Sequence, residues 1–344
     1  MAKAGAMDEP ALLDAARAGD EDAFEQLVEA HRPSIHAHCY RMLGSLHDAE
    51  DAFQDTLLRA WRGLGRLEGR STLRTWLYRI ATNACLDAIG RRPKRVLPID
   101  YGPPGEGAEH EAPERLVESL WIEPFPDEQL GPSSGYASPE ARYEEREAVE
   151  LAFIAALQHL PPRQRAALIL REVLGFSAKE VAEALGSTVA SVNGALQRAR
   201  KAADERLPER SQQANLRSLG DERVRDLVRR FSAAFEVGDV DAILSMLAED
   251  ATFSMPPYPN WCRGREQIAE SWLMPGGAPP RLRYLATRAS GQPALATYRL
   301  DDITGSYLPI ALDVLTLRGA EISDVTAFRS TELFPRFGLP AEIR

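Results

Sequence analysis

A stretch of about forty residues, from Pro98 to about Pro139, is rich in Pro, Gly and Glu and carries no sustained apolar period. Breakers at that density cannot hold the interior of a helix or strand, so the segments on either side must close cores of their own. The stretch therefore reads as a linker. Within 344 residues it separates a helical segment, Pro10 to Ile89, from a second one, Glu144 to about Leu207, which Pro161, Pro162 and Gly186 interrupt. A third segment, Asp221 to about Phe334, has two helix-like stretches followed by alternating strand patterns. Three separate cores are expected, two all-α and one α+β. Inside the linker, Leu116 to Leu130 (LVESLWIEPFPDEQL) is too apolar for an idle tether, and Trp121 and Phe125 are expected to dock on the C-terminal domain or the first helical domain.

Hydrophobic content of 44% and charged content of 27% are ordinary globular values. No run approaches the ~18 apolar residues of a membrane span, and no apolar secretory core stands at the N-terminus, so a cytoplasmic protein is expected. Cys39, Cys85 and Cys262 form no CxxC pair; buried thiols are expected, with no metal and no cofactor. A net charge of -10 argues against nucleic acid as a partner until its distribution is considered. Thirteen acidic residues and three arginines lie between Tyr101 and Glu150, directly after the basic group Arg91, Arg92, Lys94 and Arg95.

In DAEDAFQDTLLRAW, Ala49, Ala52, Phe53, Thr56, Leu57, Ala60 and Trp61 fall on one helical stripe. That forces Asp48, Asp51, Gln54, Asp55 and Leu58 outward as an acidic face containing an exposed leucine. A plain solvated helix face would look the same. In STLRTWLYRIATNACLDAI the stripe is Leu73, Trp76, Leu77, Ile80, Ala81, Ala84 and Ala88, with Ser71 or Thr72 as N-cap. Arg74, Tyr78, Arg79, Thr82 and Asn83 are left on the opposite face. Cationic, amide and aromatic groups in one strip suit single-stranded DNA, which needs phosphate neutralisation and stacking surfaces. Trp76 fits a core position or a base-stacking one.

These two stretches in order resemble the region-two domain of extracytoplasmic-function (ECF) sigma factors of the sigma-70 family, a helical bundle spanning residues 10–97 here. The resemblance implies a promoter-recognition subunit that binds core RNA polymerase, and not an enzyme. It implies that Asp48, Asp51, Gln54, Asp55 and Leu58 contact the beta-prime clamp. It further implies that Arg70, Ser71, Thr72, Trp76, Arg79, Asn83, Arg91 and Arg92 contact the minus-10 element of promoter DNA, with 98–140 as the linker.

In LPPRQRAALILREVLGFSAKEVAEALGSTVASVNGALQRARK the double proline can open a helix, Ser177 and Glu180 form a capping box, Gly186 ends the helix, and Thr188 can cap the next. A short helix, a glycine turn and a longer helix make a helix-turn-helix. Val192, Ala195, Leu196, Ala199 and Ala203 face inward, leaving Ala190, Ser191, Asn193, Gly194, Gln197, Arg198 and Lys201 outward. Asn and Gln can pair with adenine and Arg with guanine, while Arg200 and Lys201 suit phosphate. Gly194 gives up about 1 kcal/mol against alanine, which a close backbone approach to DNA would explain. The segment, 141–210, resembles the region-four domain. That implies contact with the beta flap, and minus-35 contacts from Ser191, Asn193, Gly194, Gln197, Arg198, Arg200 and Lys201.

Beyond Leu207, Val224, Leu227, Val228, Phe231 and Phe235 form a helical stripe, and Tyr298 with Leu300, and Ile310, Leu312 and Val314, alternate as strands do. FEVGDVDAILSMLAEDATFSMPP and RGREQIAESWL are similar to the SnoaL-like branch of the nuclear transport factor two-like superfamily, over residues 221–335. That implies an α+β cone with a cavity and, with the preceding modules, the SigG-like group, whose extension is expected to tune activity. No catalytic residue is assigned: Asp250 is expected to close a helix-to-strand turn, and Asp313 can face either way. A small-molecule ligand of the cone and an anti-sigma partner both remain open. An isomerase or cyclase with a tethered DNA-binding head, and a repressor responding to a ligand in the cone, are the competing readings; turnover by the isolated C-terminal domain would support the first, and the second would not need the acidic helix or region two.

Overall fold

The computed structural model describes residues 9–67, 72–105, 120–130, 146–270 and 281–344. The described residues group into two compact units. The first draws on Met1–Arg92, Gln129–Arg142 and Leu157–Arg206; the second on Pro93–Glu128, Tyr143–Ala156 and Leu207–Arg344.

In the first unit, α1 (Glu9–Arg17), α2 (Glu21–Glu29), α3 (Arg32–Leu43), α4 (Leu46–Gly63) and α5 (Leu73–Ile89) form a bundle. Three of the five starts have a capping side chain: Asp20, Ser45 and Thr72 accept backbone N–H bonds from the first turns of α2, α4 and α5. Ile35, Tyr40, Met42, Leu46, Phe53, Leu77 and Cys85 fill the core. Continuing the same unit, α6 (Pro162–Leu168) passes through a π turn (Ile169–Val173) to α7 (Ala178–Ala184) and α8 (Val189–Asp204). The Ser177–Glu180 capping box and the Thr188 cap are both present, and Gly186 adopts φ 56° where α7 ends.

The helix-turn-helix closes on the bundle, which is why two helical segments make one unit. Arg165 of α6 is buried and donates to the carbonyls of Met42, Gln158 and Leu160 and to the Gln158 side chain. Gln158 in turn donates to the Arg41 carbonyl at 3.5 Å. Met42 and Arg41 end α3, where free carbonyls favour a cation. Gly44 follows with φ 71°, a left-handed conformation that favours glycine, and a Cβ there would stand 3.2 Å from the end of the Gln158 side chain.

The second unit is built on a six-stranded sheet: β1 (Leu247–Ser254), β2 (Trp261–Arg263), β3 (Leu282–Ala289), β4 (Gln292–Leu300), β5 (Tyr307–Arg318) and β6 (Glu321–Phe328), in the order β2-β1-β6-β5-β4-β3. β1 and β6 pair parallel and the other neighbours antiparallel. Following α9 (Gln212–Leu219), α10 (Asp221–Val237) and α11 (Val240–Met246) pack Val224, Leu227, Val228, Phe231 and Ile243 on Leu295, Leu315, Leu317 and Val325. Asp250 lies within β1, exposed and paired with Arg318, so it does not close a turn. Asp313 pairs in register with Leu295 and Ala327, which puts it on the same sheet face as the Leu295–Leu315 core. All three cysteines are buried thiols outside any disulfide.

The linker island belongs to this unit. Trp121, Ile122 and Phe125 are buried. Phe125 exchanges backbone and side-chain bonds with Ser290 in the β3–β4 turn (3.0 and 2.7 Å), and Asp127 accepts from Gly291 N at 2.7 Å and from Arg288 at 2.9 Å. Phe125 thus docks on the C-terminal sheet as expected, whereas Trp121 packs edge-on against Tyr101 and pairs with Val96, next to the linker's own start.

Candidate polymerase and nucleic-acid interfaces

Along α4 the inward stripe expected from the sequence is buried at Ala49, Ala52, Phe53, Thr56 and Ala60. Asp51 and Gln54 are exposed, Asp55 is half-buried, and Leu58 is 55% exposed. Asp48 departs from the expected face. It is 3% exposed and paired with Arg92, because it stands in the first turn, where the chain beyond α5 returns over it. Arg59 pairs with Asp55 at 2.8 Å and with Asp87 at 2.9 Å.

On α5, Thr72 is the N-cap, while Arg79 and Asn83 are exposed; Arg70 and Ser71 lie outside the described residues. Trp76 is 4% exposed and sits over Gly63, a core position in this structure. Tyr78 and Thr82 do not face solvent as expected. Tyr78 packs edge-on against His38 and Phe176, and Thr82 lies 3.0 Å from His38 Nε2. Burial and the nearby Arg41 hold His38 down to about 3, so the ring is neutral in its contact with Thr82. The cause is a second packing partner: Arg74 lies 4.3 Å over the Phe176 ring and donates to the Leu174 carbonyl at 2.8 Å, and Thr75 donates to Glu180 at 3.3 Å. Phe176, directly before the Ser177 cap, was the available signal, since an apolar residue there seeks a partner.

The basic group after α5 is dispersed. Arg91 is exposed, and Arg92 joins Asp48 and Asp51. In the other unit, Arg95 is buried and donates to the Trp121 carbonyl at 2.7 Å. On α8 the division is as the sequence indicates: Val192, Leu196, Ala199 and Ala203 are buried, and Ser191, Asn193, Gln197, Arg198, Arg200 and Lys201 are exposed. The Arg198 guanidinium lies 3.5 Å from where a Gly194 Cβ would stand, and Arg200 pairs with Glu172. Among the described residues, Arg198 alone comes that near the Gly194 position, at ordinary van der Waals distance. The arrangement is a capped helix-turn-helix beside a bundle with one acidic helix.

Comparison with protein families matches residues 27–95 to Sigma-70 region 2, 150–202 to Sigma-70 region 4, and 228–326 to the SnoaL-like domain. The ECF RNA polymerase sigma factor SigG of Mycobacterium tuberculosis is 44% identical over 327 residues, which cover 94% of this chain and 85% of that protein. SigE of Mycolicibacterium smegmatis is 32% identical over 203 residues, 56% of this chain and 66% of that protein. The crystal structure of M. tuberculosis SigJ has the same overall fold, with a TM-score of 0.54 at 21% identity over 91% of this chain and 98% of that one. The modules define a promoter-recognition subunit of the sigma-70 class. The chain belongs to the ECF RNA polymerase sigma factors and carries a fused SnoaL-like domain. It directs promoter-specific transcription, binding core RNA polymerase and promoter DNA. Sigma factors are not enzymes in the usual sense. Among the described residues no helix is long and apolar enough to cross a membrane.

Proposed function

We propose that the division of labour follows the exposed faces of the first unit, in a cytoplasmic, non-catalytic protein. Asp51, Gln54, Asp55 and Leu58 of α4 dock on the beta-prime clamp, with Asp48 acting from beneath. Thr72, Arg79, Asn83, Arg91 and Arg92, together with Arg70 and Ser71, hold the minus-10 strand. Trp76 joins them only if its core position opens. From α8, Ser191, Asn193, Gln197 and Arg198 read the minus-35 element, Gly194 admits the backbone, and Arg200 and Lys201 hold phosphate, while region four also meets the beta flap. Functional divisions at 10–97, 98–140, 141–210 and 221–335 fit this reading, with the last tuning activity.

The observation that carries the reading is the outward set on α8: Ser191, Asn193, Gln197, Arg198, Arg200 and Lys201 are exposed along a capped second helix, with Gly194 half-buried among them and Val189 the exposed apolar residue of its first turn. The test is transcription by core polymerase supplied with the purified chain, with start sites mapped across the source genome. The wild type is expected to select a defined promoter set, and Asp51→Lys with Asp55→Lys to abolish association with core. Association that survives both substitutions would remove the assignment of α4.

A further inference from the structure

Two arginines of the chain already sit on the acidic face of α4. Arg92, three residues beyond the end of α5, pairs with Asp48 and stands 3.4 Å from the Asp51 carboxylate. Arg59 spans Asp55 and Asp87. The Asp48 side chain is 3% exposed and that of Arg92 41%, so the guanidinium covers the buried carboxylate and keeps its outer edge in solvent. Asp51 is 54% exposed, open to a partner. Arg92 thus connects the face assigned to polymerase with the strip assigned to the minus-10 strand.

A guanidinium turned toward two carboxylates presents few donors and little net charge to a phosphate. A basic surface that takes Asp51 removes one of those two partners. We propose that Arg92 is a coupling residue: Asp48 and Asp51 hold it in the free chain, and core polymerase, by engaging Asp51, gives it to the promoter strand. The inference rests on the assignments of α4 and of Arg92 made under Proposed function. Because linkage is reciprocal, occupation of Arg92 by DNA must also strengthen core binding by the same factor. Asp51 is half exposed, so its share is small and the coupling is a few-fold.

The test uses the full chain with a single-stranded minus-10 oligonucleotide, and separately with core polymerase. Asp51→Asn is expected to tighten oligonucleotide binding by the free chain about two- to fivefold, with the salt slope steeper by about 0.7 for one more phosphate contact on a single strand. The gain is expected to vanish in an Arg92→Gln background, and Arg92→Gln alone is expected to tighten core binding about two- to fivefold. Gln is chosen because it still donates a hydrogen bond to buried Asp48; the melting temperature of each variant is recorded, and Arg92→Lys serves as a second test if Gln lowers it. An equal gain from Asp51→Asn with and without Arg92 would mean simple loss of a repelling charge and would overturn the proposal, as would unchanged core affinity in both Arg92 variants. Failure of the underlying assignments reads differently: Arg92→Gln would leave promoter-strand binding by the holoenzyme unchanged, or Asp51→Lys with Asp55→Lys would leave core binding intact.

Discussion

Arg165 has only neutral oxygens as hydrogen-bond partners, and burial holds its guanidinium down to about 10. Replacing it with Met would fill similar volume but leave the Met42 carbonyl and the Gln158 side chain without their donor. Arg165→Met is expected to destabilise the first unit by about 2–3 kcal/mol, measured by urea unfolding. Glu150 is the corresponding residue of the second unit: its carboxylate accepts from Gln212 N at 3.1 Å and Gln213 N at 2.7 Å at the start of α9, and burial pushes it up from 4.5 to about 7. The folded state therefore holds the proton more tightly than the unfolded chain. Its contribution is fully present below about pH 4.5 and is lost as pH rises to about 7, a difference on the order of 3 kcal/mol. Asp313, pushed up to about 6 by burial, acts in the same direction. Thermal melts between pH 5 and 8 are expected to show the second unit weakening with rising pH, with a flatter profile for Glu150→Gln. At this scale the sequence was only partly legible. The caps Ser177, Thr188 and Thr72 were readable because their partners lie three residues away, whereas Asp48 and Arg165 find partners 44 and 123 residues distant.

Helix α5 shows where element-level reading succeeds and fails. Its apolar stripe is buried where the period places it, yet Tyr78 and Thr82 on the other side are buried too. A period describes one packing partner, and α5 has a second in the Leu174–Glu180 turn, which local spacing cannot reveal. The linker was legible for the opposite reason, since Trp121, Ile122 and Phe125 stand out as apolar residues among acids and prolines. Phe125→Ala is expected to remove about 3 kcal/mol from its seating. Limited proteolysis should then show faster cleavage between Leu120 and Leu130, and multi-round transcription should show a changed promoter output with core affinity unaltered. At Gly291, φ is 70° and an added Cβ would meet the Arg146 carbonyl at 2.7 Å, so the turn that receives Asp127 tolerates no side chain.

For the whole molecule, the promoter itself sets the geometry. Elements at minus-35 and minus-10 are about 25 base pairs apart, or roughly 85 Å at 3.4 Å per pair. In the structure, the turn before α7 rests directly on α5 through Phe176 and Glu180. With the roles proposed above for α5 and α8, one chain cannot read both elements in that arrangement, and α7 and α8 are expected to leave α5 before initiation. Joining Thr75→Cys to Glu180→Cys with a short reducible cross-linker is expected to lower promoter-specific transcription at least tenfold, with recovery on reduction; the native thiols are buried and should not compete. The grouping into two units was not legible, because it depends on Arg165, Arg74 and Phe176 crossing between segments that are separately helical.

The linker also touches both outer strands of the sheet: Gly105 N donates to the Trp261 carbonyl on β2, and Pro126 pairs with Ala289 at the end of β3. Unpaired strand margins recruit other chains, so the segment that joins the two DNA-reading modules to each other is expected also to guard the sheet against self-association. Excising the cone at 221–335 would strip that guard away. The fragment is expected to sediment as oligomers where the intact chain does not, and to return toward a monomer when a peptide spanning Val96 to Leu130 is added back.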